Sequence, residues 1–225
     1  MAYRRRKSQG VLIPAKRRKT LGTRKYVPIP KPRFRYRPFG ERKWVDLATT
    51  TYGLNTTGTV TLIPVIPQGS DVNERIGRKV TLKSIAMRGY AVSNANTLVT
   101  YGRVMLVYDR QPNKALASMT DILDSASSLS FNNNQNRDRF LTIMNKSFTL
   151  CGNNTTAGQQ TETSMICMDY FRKVNLPMQF GSAGTGLIAD ITTGALLLVT
   201  VGATAAGTSD GDLTVSFRIT YADPQ

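Results

Sequence analysis

The sequence contains no histidine, only two cysteines, a single tryptophan and 14 acidic residues against 30 Lys and Arg. Without histidine, the commonest general base and the commonest zinc ligand are missing, so Ser-His and Cys-His nucleophile pairs and most zinc sites lose their usual members. Cys151 and Cys167 are 16 residues apart, with no CxxC spacing. That arrangement fits an intracellular chain with two buried free thiols rather than a disulfide framework. The longest apolar run, 195–201, is strand-length and far short of the roughly 20 residues a membrane-spanning helix needs. The basic N-terminus is not followed by an apolar segment of the kind a secretory signal carries. A soluble protein made in the cytosol is expected. No GxxxxGK[ST], GxSxG or HExxH pattern occurs, and no repeat of solenoid or propeller length is visible.

What the chain does have is charge, and nearly all of the net charge sits at one end. Residues 1–43 hold 16 Lys and Arg with Glu41 as their one acid, a net +15, while residues 44–225 hold 14 against 13, a net +1. The basic segment shows neither a helical nor a strand period of apolar residues, and prolines at 14, 28, 30, 32 and 38 oppose a helix. It is expected to be a disordered arm. Its clusters are Arg4, Arg5, Arg6 and Lys7; Lys16, Arg17, Arg18 and Lys19; Arg24 and Lys25; and the alternation Arg33, Phe34, Arg35, Tyr36, Arg37. Arginine offers a planar fork to phosphate, and Phe34 and Tyr36 can stack on unpaired bases, a combination suited to single-stranded nucleic acid. A nuclear-import signal at Lys16–Lys19, a ribosomal extension threading RNA, or a tether to an anionic membrane surface would use similar residues.

From Trp44 the vocabulary changes to Thr, Val, Ile, Gly and Asn, the residues of strands and turns. Strands are expected at 43–52, 58–64, 79–92, 101–109, 140–150, 165–174, 195–202 and 212–222. That makes an all-β, eight-stranded jelly-roll sandwich occupying 44–225 behind the arm at 1–43. Leu213, Val215, Phe217, Ile219 and Tyr221 alternate with polar residues, giving one buried face. The run 195–201 is apolar on both faces, so a neighbouring subunit or a covering loop should lie on its second side. Ser118 and Asp121 form a capping-box pattern ahead of a short helix at 119–123 that docks Ile122 and Leu123. The Gly-rich stretch 181–186 precedes no helical pattern and reads as a loop rather than a phosphate cradle. Asp121, Asp124, Asp138 and Asp169 fall in separate segments, so no acid pair or metal site is fixed by spacing, and no cofactor is expected. Outside the arm the densest basic cluster is Arg75, Arg78, Lys79 and Lys83.

These residues also support a comparison. The stretch QGSDVNERIGRKVTLKSIAMRG at 68–89 resembles the segment leading into an early strand of the capsid proteins of small circular single-stranded DNA viruses, of the geminivirus and genomovirus type. The stretches GRVMLVYDRQP at 102–112, RDRF at 137–140, YFRKVN at 170–175, GALLL at 194–198 and RITYAD at 218–223 follow in the same order. The resemblance spans Trp44 to Asp223. It implies a coat protein that self-assembles, as 60 copies or a multiple, into an icosahedral virion. It further implies that the basic arm packages single-stranded DNA and that assembly takes place in the host nucleus. The basic clusters add entry through an import receptor, and the missing histidine, catalytic motifs and long apolar run lead to an expectation of no enzymatic role and no membrane partner. Plant geminivirus coat proteins carry a Cys/His cluster in their N-terminal half, which this chain lacks. Capsids of satellite RNA viruses share a jelly roll and a basic arm, and a cellular basic nucleic-acid-binding protein would share the arm alone.

If Lys16–Lys19 is the import signal, replacing all four with Ala abolishes nuclear accumulation of a fused reporter, as scored by fluorescence microscopy. An unchanged distribution would shift the signal to Arg4–Lys7.

Overall fold

The computed structural model describes residues 41–93, 99–151, 164–203 and 211–223. The strands are β1 (Glu41–Gly53), β2 (Thr59–Leu62), β3 (Lys79–Ser93), β4 (Val99–Asp109), β5 (Phe140–Cys151), β6 (Met165–Phe180), β7 (Ile191–Thr193), β8 (Ala195–Val201) and β9 (Gly211–Asp223), with one helical turn, α1 (Met119–Ile122), between β4 and β5. They form a five-stranded sheet in the order β1-β9-β3-β6-β7 and a four-stranded sheet in the order β2-β8-β4-β5.

The antiparallel pairs are nested: β1 with β9, β2 with β8, β3 with β6 and β4 with β5. A chain that pairs first with last and works inward is one long ribbon, and β3·β9 and β4·β8 pairings roll that ribbon into two sheets. This is the jelly roll expected from the strand count. The ninth strand, β7, adds three residues to the edge of β6. Strand β6 runs six residues beyond the expected end at Val174 even though Pro177 lies within it. Proline is tolerated there because β7 pairs only with Gln179 and Phe180, which leaves β6 an edge strand at that point. The turns expected at 94–96 and 152–154, and most of that at 206–211, lie outside the described residues.

Alternation sets the core. Leu213, Val215, Phe217, Ile219 and Tyr221 of β9 are all buried, as their spacing requires. Every residue of β8 is buried, and the partners of β8 identify what covers each side. Leu196 pairs with Tyr108, whose hydroxyl donates to the Pro177 carbonyl of the opposite sheet, so Leu196, Leu198 and Thr200 point into the sandwich. Val201 pairs with Arg103, whose guanidinium donates to the Ser130 carbonyl and Asn132 Oδ1. Leu197, Val199 and Val201 therefore face the segment that holds Ala117, Met119, Ile122 and Leu123, all buried. The cover over the second face of β8 is a loop of the same chain. It is anchored by α1, where Ser118 Oγ accepts from the Asp121 amide and the Asp121 carboxylate accepts from the Ser118 amide. Those bonds, before any other cause, hold the Asp121 carboxyl below its ordinary pKa.

The expected burial of the two cysteines is not observed: Cys151 and Cys167 are both exposed free thiols. Met168 turns inward on β6, so its neighbour Cys167 is placed on the open side with Asp169 and Phe171. Cys151 is the last residue of β5.

The end of the sandwich where β1 begins and β9 ends is tied by one loop, 67–78. Arg75 is the largest fully buried side chain, and its Nη2 lies 2.9 Å from Asp190 Oδ2. Its Nε donates to the Ile66 carbonyl, its Nη1 to the Gly77 carbonyl, and its guanidinium lies 4.1 Å from the centre of the Phe180 ring. Burial pushes the pKa of Arg75 down, and Asp190 beside it opposes that shift. Around this pair, Lys43 Nζ donates to the Glu74 carbonyl, the Tyr221 hydroxyl donates to the same carbonyl, and the Ile76 amide donates to Asp223. Lys43 is almost fully buried, so the segment assigned to the arm by charge count ends inside the fold, and Glu41, Arg42 and Lys43 are the first residues of β1.

Removing one partner of a buried ion pair leaves the other charge uncompensated, at a cost of about 3–5 kcal/mol. Asp190→Ala should lower unfolding free energy by that amount in urea titration. Asp46→Ala, which breaks an exposed, solvent-screened pair with Arg218, should cost far less. Equal losses would mean that Arg75 is not dependent on its partner.

Candidate nucleic-acid interface

The fifteen arm residues singled out by sequence, from Arg4 to Arg37, lie outside the described residues, as does the Lys16–Lys19 import cluster. The arm joins the sandwich where β1 starts at Glu41, on the edge of the five-stranded sheet.

The second basic cluster does not hold together. Arg75 is consumed by Asp190 inside the protein, and Lys83 Nζ donates to Asn175 Oδ1 at 2.7 Å, which leaves Arg78 and Lys79 as its exposed members. The Gly-rich loop at 181–186 is likewise committed internally. The amides of Ala183 and Gly186 donate to the Asp190 carboxylate, the anion that a phosphate would have to displace. Gly186 has φ +71°, and a Cβ there would lie 2.4 Å from the Ile66 backbone, so the loop can close over Asp190 only with glycine at this position. Among the described residues no group of three or more His, Cys, Asp or Glu is arranged to hold a metal ion.

The structure brings together a set of residues that the sequence reading did not connect. On the side of the five-stranded sheet away from the core, strand register aligns Asp46, Arg218, Ala86 and Phe171 in one row across β1, β9, β3 and β6. Ser216, Arg88 and Asp169 form the next row. Small side chains at Ala86 and Ser216 between larger ones leave an open hollow of about 580 Å³, lined also by Leu47 and Phe217. Its rim is polar and aromatic. Arg218 forks Asp46 with two bonds of 2.7 Å, which hold the Asp46 carboxyl below its ordinary pKa and that of Arg218 above. Arg88 lies 3.9 Å from Asp169, both well exposed. Phe171 is 63% exposed, and Trp44, one row beyond Asp46 on the same face, is 50% exposed. The signal was present in sequence only as alternation, because the rows depend on pairings between strands more than 80 residues apart.

Comparison with known proteins gives one extended match and several distant ones. A search of curated protein sequences returns no match. Among solved structures, Desmodium yellow mottle tymovirus aligns at 13% identity over 88% of this chain and 97% of that one, with a TM-score of 0.30. The infectious bursal disease virus Gx strain aligns at 8% identity over 82% and 38%, with a TM-score of 0.22. The VP2 subviral particle of infectious bursal disease virus gives 10% identity over 82% and 38%, also at 0.22. The jelly-roll assignment stands on the nested strand pairing rather than on these likenesses. The model of the geminivirus coat protein/nuclear export factor BR1 family, in contrast, matches residues 2–223, covering the arm and the sandwich together. The chain belongs to the geminivirus coat protein/nuclear export factor BR1 family.

Proposed function

We propose that this coat protein assembles, as 60 subunits or a multiple, into an icosahedral shell and packages a single-stranded DNA genome through residues 1–40. The observation that carries this reading is the segregation of charge, with +15 in residues 1–43 and +1 in the rest. A nearly neutral sandwich can pack against copies of itself without strong repulsion, whereas the fourteen positive charges of residues 1–40, with no acid among them, repel one another until a polyanion neutralises them. Assembly is thereby coupled to genome binding. Sixty arms carry on the order of 840 positive charges, enough to offset much of a genome of roughly a thousand nucleotides or more.

Family membership supports a structural role rather than an enzymatic one, and favours DNA over the satellite RNA reading. The near-neutral sandwich argues against a cellular nucleic-acid-binding module, whose folded part would be expected to expose an excess of basic charge. Import through Lys16–Lys19 and assembly in the host nucleus complete the proposal, supported by a family description that includes a nuclear export factor. Exposed arm cations would serve the import receptor before assembly and the genome after it.

Deleting residues 2–40 removes nearly all net charge but none of the described strands. Truncated protein should keep its β-type circular dichroism and form particles with a protein-like absorbance ratio, while full-length particles carry nucleic acid. Oligonucleotide binding by the full-length protein should weaken linearly in log K against log salt, with a slope of about −0.7 per phosphate neutralised on a single strand. Truncated particles with an undiminished nucleic-acid load would overturn packaging by the arm.

A further inference from the structure

We infer that the hollow on the open face of the five-stranded sheet is a second, base-directed contact for the packaged single strand, in which an unpaired nucleobase stacks on Phe171 beside the guanidinium groups of Arg88 and Arg218. The inference rests on the packaging reading and assigns to the sandwich a task distinct from that of the arm.

Three features of the site select a base over a phosphate. The hollow is close to electrically balanced, because Asp46 faces Arg218 and Asp169 faces Arg88. A phosphate would meet two carboxylates as well as two guanidinium groups, whereas a base edge presents donors and acceptors that both kinds of group can satisfy. The bidentate bond to Asp46 also fixes the plane of Arg218, and a guanidinium held flat is a stacking surface. Finally, Phe171 is an aromatic ring left 63% exposed beside Ala86, in the same row, where the absence of a larger side chain leaves room for a flat ring. At about 580 Å³ the hollow is of a size that accommodates small ligands.

Continuity with the arm identifies the occupant. Asp46 and Leu47, which line the hollow, are on β1, the strand into which the arm runs. Asp46 is five residues, or about 17 Å, from the start of that strand. Residues 1–40, proposed above to hold the strand electrostatically, are thus joined in sequence to a strand that lines the site. The two contacts differ in character: the arm reads phosphate and depends on salt, whereas the hollow reads base faces and does not.

The test compares full-length wild type with Phe171→Ala and Phe171→Tyr, using fluorescence anisotropy with a 20-nucleotide oligo-dT and with an abasic oligomer of equal phosphate number. Phe171→Ala should bind oligo-dT about tenfold more weakly, bind the abasic oligomer as wild type does, and keep the wild-type salt slope. Phe171→Tyr should retain wild-type binding. Circular dichroism and particle formation confirm that the exposed substitution leaves the fold intact. If Phe171→Ala binds oligo-dT as tightly as wild type, the hollow is not a base site, although the packaging reading survives. If wild type binds neither oligomer, the packaging reading itself fails. If Phe171→Ala loses subunit association with oligonucleotide binding unchanged, the face is a contact between copies of this chain and the inference is overturned.

Discussion

A fully buried guanidinium must keep its counter-charge, and here that requirement fixes the end of the sandwich from which the arm departs. Arg75 holds Asp190, and Asp190 in turn collects the amides of Ala183 and Gly186, so the loop before β7 is locked to the loop before β3. The backbone carbonyls and amides displayed by that second loop then receive Lys43 from the first strand, Tyr221 from the last and Asp223 beside it. Tyr221, buried among Asp223, Glu41 and Glu74, has its hydroxyl pKa raised mainly by that burial, so it remains a neutral donor. One ion pair thus organises contacts from both ends of the ribbon, and it costs the protein a basic residue that a reading of exposed charge would have assigned to the genome.

The same economy of charge runs through the rest of the sandwich. Arg139 forks the fully buried Asp109, Arg218 forks Asp46, and Arg103 spends its donors on Asn145, Asn132 and a backbone carbonyl. Arginines in the body are therefore mostly cross-braces between strands and loops. Their planar forks suit that task because they satisfy several acceptors in one geometry. The arm has almost no acids with which to pair, since Glu41 is the only one among its first 43 residues. Opposite uses of the same residue type account for why charge can be crowded at one end without destabilising the other.

How much of this was legible depended on the range of the interaction. Period-2 alternation exposed β9 directly, and the capping box found α1, because both are written in neighbouring residues. The doubly apolar β8 signalled a second cover, but not its source, since the loop that supplies it lies some 70 residues upstream. The cysteines misled because general burial preference outweighed their place in the alternation, which the structure shows to be outward for Cys167. Arg75 misled more instructively: in sequence it sits among Arg78, Lys79 and Lys83, and nothing local marks it as the partner of a carboxylate 115 residues away. The hollow was invisible for the same reason, its two rows being assembled from four strands.

Nested pairing also sets where the first strand lies and which face of its sheet stays open. In a ribbon rolled first-to-last, the N-terminal strand ends up at the edge of one sheet, paired on one side with the C-terminal strand. The open face of the same sheet is left with alternating positions free of packing duties, because β1, β9, β3 and β6 all turn their other side inward. Those positions are where a sequence can vary the surface at little cost to stability, and here they hold Trp44, Phe171 and two forked or near-paired arginines rather than a uniform basic coat. A chain that needed only electrostatic attraction would gain nothing from exposing aromatic rings beside balanced charges. Those rings lie on the face of the sheet that includes β1, beside charges that are already paired.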